Sequence, residues 1–408
     1  MKIKTPQLSV LFLSMFIFTL GFGIVVPVMP YFAKNMGGTI IDVGMLMAVF
    51  SAMELIFAPL WGKVSDQIGR KPVLMLGLGG FGVAFIIGGL SSHLWMLYAS
   101  QIMAGILVAG VYPAATAYIA DSTSPEERGG LMGMLGAAGG LGMIFGPGMA
   151  SVFALWGLNI PFFAGAGVAF LTMIIGLLWL QESRIPGLSN QDENSISVKR
   201  ALKLLFKSYI AVFFLLMAFI MLALASLEVT FGYFLIDRFG LGEISSAMPV
   251  FGTNLMLTGP NVIGIVFTFF GILSVITQAL LVGKIIKRMG EEKTIVIGLL
   301  MFTIGTLILI FSWNLITLII SASAIAIALG LIMPSINTAV SNRTSEDKQG
   351  VMMGLLGSFN SAGRVFGPAI GGFLYAINML LPYISSAVVS LLSAVVLQLH
   401  MRKKAMKR

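Results

Sequence analysis

Twelve apolar stretches, each about as long as a bilayer is thick, punctuate this chain: residues 8–30, 42–61, 73–92, 95–119, 131–154, 158–181, 208–235, 261–283, 294–312, 314–340, 350–374 and 379–400. A helix rises about 1.5 Å per residue and the hydrocarbon core is about 30 Å thick, so roughly 20 apolar residues suffice to cross it. The composition agrees: 58% of the 408 residues are hydrophobic and only 10% are charged, against about 25% charged in an ordinary soluble domain. So few charges cannot cover so much apolar surface in water. The chain is read as an all-α integral membrane protein with twelve transmembrane helices. The opening Met1-Lys2-Ile3-Lys4-Thr5 and the apolar run behind it mimic a secretory signal. The run is too long and lacks a small-residue cleavage site, so it is read as the first helix, retained.

Basic residues give the orientation, because Lys and Arg accumulate in cytoplasmic loops. With the N-terminus inside, 22 of the 25 Lys and Arg fall on the cytoplasmic side, only Lys34 and Arg238 lie outside, and Arg364 is within a span. Both termini are therefore expected in the cytoplasm. The net charge of +9 would suggest nucleic acid in a soluble protein; here it sets topology, and no nucleic-acid partner is expected. The absence of cysteine removes disulfides and thiolate metal sites. His93 and His400 are too far apart to suggest a metal. No phosphate-cradling lysine loop and no Ser/His/Asp arrangement stands out, which argues against ATP drive and against an enzyme. No cofactor is expected.

The longest polar stretch, from Gln181 to about Lys207, separates spans six and seven. It divides the chain into a six-helix bundle over 1–181, a cytoplasmic linker over 182–207, and a second bundle over 208–408. The linker's basic end, Lys199 to Lys207, reads either as a surface helix on the inner leaflet or as plain solvated chain. The two bundles repeat at an offset of 221. Gly62, Lys63, Gly69, Pro113, Thr123, Ser124, Gly133, Gly142, Gly146 and Pro147 recur as Gly283, Lys284, Gly290, Pro334, Thr344, Ser345, Gly354, Gly363, Gly367 and Pro368. Such duplication is common in transporters, with the substrate site between the repeats.

The turn between spans two and three reads Gly62-Lys63-Val64-Ser65-Asp66-Gln67-Ile68-Gly69-Arg70-Lys71-Pro72. Its two glycines suit a tight turn and close helix approach. It resembles the G-x-x-x-D-x-x-G-R-R/K signature of the major facilitator superfamily. The resemblance implies that Asp66 pairs with cationic groups and with the N-terminus of helix eleven, holding the cytoplasmic side closed. In the second copy Lys287 and Glu291 replace Asp66 and Arg70, so the same contact is not expected there.

Helix five carries Gly133, Gly142, Gly146 and Pro147, followed by Ala150-Ser151. This is similar to the family's antiporter motif, G-x8-G-x3-G-P-x2-G-G, with Ala and Ser for the last two glycines. Helix eleven has it in full as Gly354, Gly363, Gly367, Pro368, Gly371 and Gly372. Glycines four apart share a face on which a second helix can pack, and the proline can kink the helix. In helix four, Gln101 stands where the family's Arg-x-x-x-Gly motif has arginine, while Gly105 is kept. That departure weakens the link between this helix and proton transfer. The run Gly21 to Pro30 also resembles the twelve-helix drug:proton antiporter branch, which includes bacterial multidrug and tetracycline exporters.

Three ionisable residues lie within spans: Glu54, Glu228 and Arg364. A charge at the bilayer centre costs about 2.5–3.5 kcal/mol on insertion scales, so such residues are functional candidates or paired. Glu228, on a helix that the resemblance places at the central cavity with Tyr233 near it, is expected to carry proton and substrate; the alternative is a structural hydrogen bond. Glu54 and Arg364 read either as an ion pair or as direct proton carriers. The 27 Met and 30 Phe suit adaptable walls. The outer segment 237–260 is long enough to be a lid. The expected function is export of amphipathic, often cationic drugs or dyes, driven by the proton gradient across the plasma membrane. The expected partners are small molecules, protons and lipid, and the expected state is a monomer. A narrow metabolite or siderophore exporter, or a non-transporting sensor, are the alternatives.

Overall fold

The computed structural model describes residues 5–183, 210–242, 246–250, 253–345 and 349–406. All but the first two residues of the expected linker, including Lys199 to Lys207, lie outside the described residues. The long helices are α1 (Thr5–Val25), α2 (Ile40–Ile68), α3 (Arg70–Gly89), α4 (Leu94–Ser122), α5 (Pro125–Phe153) and α6 (Ile160–Trp179). They continue as α7 (Ala211–Phe239), α8 (Gly259–Met289), α9 (Glu291–Ile310), α10 (Leu315–Ser341), α11 (Gln349–Ile377) and α12 (Leu381–Met406). Among the described residues, eleven helices are long and apolar enough to cross a membrane. The helix outside that set, α11, is 29 residues long. Its Asn360, Arg364, serines and glycines dilute the apolar content that length alone would supply.

Local chemistry explains the interruptions. α4 turns at Ala109–Gly110, between Leu94–Val108 and Val111–Ser122. Pro113 lacks the N–H that would have bonded the Ala109 carbonyl. α2 and α10 each begin with a reciprocal cap: Thr39 with Asp42, and Asn314 with Thr317. These satisfy N–H groups that the first helical turn leaves open. α7 stops at Gly240, whose φ of 65° is the left-handed conformation that glycine adopts freely.

The outer segment adds one short hairpin to the otherwise helical fold. Strand β1 (Ser246–Val250) pairs antiparallel with β2 (Thr253–Leu257), with Ser246 opposite Leu257 and Val250 opposite Thr253. Two strands of five residues are too short for their period to stand out beside long apolar spans. Gly259 N–H closes the base of the hairpin by donating to the Gly242 carbonyl at 2.8 Å. Met248 is buried and β1 packs against α10.

The chain forms two compact units. One contains α1–α6 and Thr258–Thr268 at the start of α8; the other contains α7, the hairpin, the rest of α8, and α9–α12. The same pairs pack in each: α1 with α5 and α6, α3 with α4 and α6, and correspondingly α7 with α11 and α12, α9 with α10 and α12. Even single hydrogen bonds repeat. Ser100 Oγ donates to the Ala84 carbonyl at 2.7 Å, and Ser321 Oγ, 221 positions later, to the Gly305 carbonyl at 2.8 Å.

Glycine sets the closest helix approaches. A methyl at Gly142 would lie 2.7 Å from the Leu20 nitrogen, and one at Gly146 would lie 2.7 Å from Gly23 Cα. On α11, a methyl at Gly363 would lie 2.5 Å from the Ala218 carbonyl oxygen, and one at Gly367 would lie 2.6 Å from that of Leu222. Gly371 is pressed against Ser226 in the same way. The motif's first glycines differ: around Gly133 and Gly354, and also around Gly62, nothing among the described residues lies within 4 Å of such a methyl. Gly62 is within α2 and makes no turn, so of the two glycines read as turn-formers only Gly69, with φ of 104°, makes one. We predict that Gly146→Val or Gly367→Val costs about 1–3 kcal/mol by overpacking. Gly133→Ala is expected to be neutral or stabilising by up to about 1 kcal/mol. Thermal unfolding of the purified protein in detergent measures all three.

Candidate functional site

Where α2 meets α3, the backbone turns at Gly69 and the next residue, Arg70, is buried. Its guanidinium contacts Asp66 at 2.8 Å and Asp121, near the end of α4, at 2.9 Å. It also donates to Ser65 Oγ at 3.2 Å. Asp66 is half exposed, so its share is modest. The buried Arg70 is the member that cannot lose its partners cheaply. Two cations, Arg70 and Lys71, open α3, where the helix dipole favours an anion. Glu182 supplies one. It follows α6 and returns its carboxylate to the α3 terminus, accepting from Arg70 N–H at 2.8 Å and Lys71 N–H at 3.1 Å. The carboxylate occupies the space that a side chain at residue 69 would need.

The second copy carries its own tie, with the charges exchanged. Arg343, just past α10, contacts Glu291 at 2.7 Å and Glu292 at 2.6 Å, both in the first turn of α9. Its guanidinium carbon lies 5.1 Å from the centre of the Phe213 ring. At the offset of 221, Arg70 and Lys71 become Glu291 and Glu292, and Asp121-Ser122 becomes Asn342-Arg343. Here each charge suits the helix end it occupies. Among the described residues nothing lies within 4 Å of a methyl built at Gly290, whereas the Glu182 carboxylate is pressed against Gly69. Arg343, Glu292, Asp121 and Glu182 do not stand out in the sequence as site residues, although the exchange of charges is legible once the halves are aligned.

Within the spans, Glu228 on α7 is packed about by protein and has intermediate exposure. The Arg364 guanidinium acts on it electrostatically. The two are brought together by the glycines of α11, which seat that helix against α7. Glu54 lies on α2 of the first unit, also with intermediate exposure. Gln101 is buried on α4. One turn on, a methyl at Gly105 would lie 2.5 Å from the Phe50 carbonyl oxygen, so α4 lies against α2 at that point. Tyr233 packs edge-on with Tyr375, ring centroids 6.3 Å apart. Tyr375 donates to the Asp237 carboxylate at 2.8 Å, tying the ends of α7 and α11 together. Ser151, in place of the motif's last glycine, touches Gly264 and accepts from Asn261 Nδ2 at 3.1 Å through its carbonyl. Among the described residues no group of His, Cys, Asp and Glu could hold a metal ion.

Comparison with known proteins places these features in context. The family model described as Major Facilitator Superfamily matches residues 11–260 and 244–407. Multidrug resistance protein 2 of Bacillus subtilis (strain 168) is 30% identical over 92% of this chain and 90% of its own length. Tetracycline resistance protein, class C, of Escherichia coli is 29% identical over 87% and 86%. The crystal structure of the nucleoside transporter NupG superposes with a TM-score of 0.75 over 98% of this chain and 99% of its own, at 13% identity. The two charge ties generate a testable expectation. Arg343→Gln leaves Glu291 and Glu292 without their cation and is expected to cost about 3 kcal/mol. Glu182→Gln removes the anion at the α3 terminus and is expected to cost about 1 kcal/mol. Thermal denaturation of each variant in detergent provides the check.

Proposed function

The chain belongs to the Major Facilitator Superfamily, a multi-pass membrane transporter, and from that premise we propose that it exports amphipathic, often cationic drugs or dyes in exchange for protons. Work is done by alternating access across the plasma membrane, with no cofactor and with the proton gradient as the energy source. Support comes from relatives named for multidrug and tetracycline resistance. The observation that carries the reading is Glu228, a carboxylate inside a membrane helix, packed about by protein and under the influence of Arg364.

A carboxylate in that position has three cations to answer: the Arg364 guanidinium, a proton, and a charged drug. Binding one displaces the others, and opposite movement of drug and proton follows from that competition. Interactions of this kind are strong because no bulk water screens them. The glycine contacts of α5 on α1 and of α11 on α7 keep each pair together while a half moves as a body. The Arg70 tie holds α2, α3 and α4 together in the same way, and the Arg343 tie holds α9 to the end of α10. Exchanging the charges of Glu54 and Arg364 is expected to restore activity that either single substitution removes.

Reconstituted liposomes test the main reading. An imposed proton gradient is expected to drive ethidium movement by the unaltered protein. Glu228→Gln is expected to slow gradient-driven movement at least about tenfold, as removal of one essential proton carrier does. Gradient-driven transport that survives in Glu228→Gln removes Glu228 from the mechanism.

A further inference from the structure

Inside the first unit a small cavity is enclosed by α1, α2, α3 and α4. Its walls are aromatic and aliphatic, chiefly Phe22, Met47, Phe50 and Phe85, and the one amide that faces it is Gln101. Gln101 is only 5% exposed, and its side chain makes no hydrogen bond among the described residues. A primary amide brings two donor hydrogens and an acceptor oxygen. Leaving these unpaired in an apolar enclosure is costly. Leu or Met would fill the same volume without that penalty. A trapped water does not resolve the matter, because an ordered water needs two to four polar partners and only one faces this space.

The surroundings hold the amide in place. Gly105 seats α4 against the backbone of α2 one turn away. Phe22 is the lining ring with intermediate exposure, and it leans on Phe50 with centroids 5.6 Å apart. Phe50 and Phe85 behind it are buried. Glu54 follows Phe50 by four residues on α2 and so shares its face. Aromatic faces and a nearby carboxylate both favour a cation.

We infer that this cavity is a binding subsite for a planar aromatic ring that carries hydrogen-bonding nitrogen, as part of a cationic substrate. The ring displaces Phe22 and slides between Phe50 and Phe85; Gln101 hydrogen-bonds its polar edge, and Glu54 faces its charge. The inference rests on the export reading, because it assigns part of the exported molecule to this slot. It gives the glutamine a task that differs from that of the arginine it replaces: it reads the ligand.

Two probes separate this subsite from a merely structural role. Ethidium is planar and carries aromatic amines; tetraphenylphosphonium is a bulky cation with no hydrogen-bonding group. Equilibrium binding of each to the full-length protein in detergent is compared with binding to Gln101→Met, with Gln101→Leu as the alternative should the first not fold. The expected result is a fall of about tenfold in the affinity for ethidium relative to that for tetraphenylphosphonium, the loss of roughly one hydrogen bond. Gln101→Glu, which can still hydrogen-bond, is expected to keep the ratio within about threefold. An unchanged ratio in Gln101→Met, or an equal loss of both probes, overturns the subsite. Unaltered protein that binds neither probe overturns the export reading itself, and this inference with it.

Discussion

Backbone against backbone, at glycine, is the contact on which each half of this protein depends. Lipid tails are as apolar as leucine, so burying hydrocarbon gives two membrane helices no reason to associate. Attraction has to come from close van der Waals contact and from polar groups that find partners. Gly142 and Gly146 let α5 lie on α1, and Gly363, Gly367 and Gly371 let α11 lie on α7. The second seam also positions chemistry, because Arg364 is adjacent to Gly363 and acts on Glu228 of α7.

Charge at the helix ends is arranged with the same economy but not the same signs. In the first unit, cations open α3 against the helix dipole, and the structure compensates with Glu182 and two aspartates around Arg70. In the second, Glu291 and Glu292 open α9 with the dipole, and Arg343 suffices to bind them. Duplication kept the place of the tie and exchanged its polarity. A tie between helix ends requires opposite charges at two places and is indifferent to which end carries which. The dipole makes the exchanged form the less demanding one.

Several of these features were legible in the chain before folding. The spans could be read because a helix must be apolar over the thickness of the bilayer, and the duplication because glycine and proline positions survive where other residues drift. The embedded charges Glu54, Glu228 and Arg364 stood out for the same reason, being expensive where they are. Other features were hidden. The hairpin over Ser246 to Leu257 is too short to announce itself. Gly62 and Gly133 looked like packing glycines because spacing alone does not say which face meets a neighbour. Arg343 looked like one more basic loop residue, since nothing local to it names Glu291 and Glu292 as partners 52 and 51 positions away.

By itself the sequence determined the solvent, the helical architecture, the duplicated plan and the family, all of which follow from local composition and from motifs contiguous in the chain. Only the tertiary structure decided which helices meet, which glycines touch a neighbour, which cation answers which anion, and that Gln101 faces a ring-lined cavity. Those outcomes depend on side chains far apart in sequence competing for the same few ångströms. A pattern along one helix cannot report that competition.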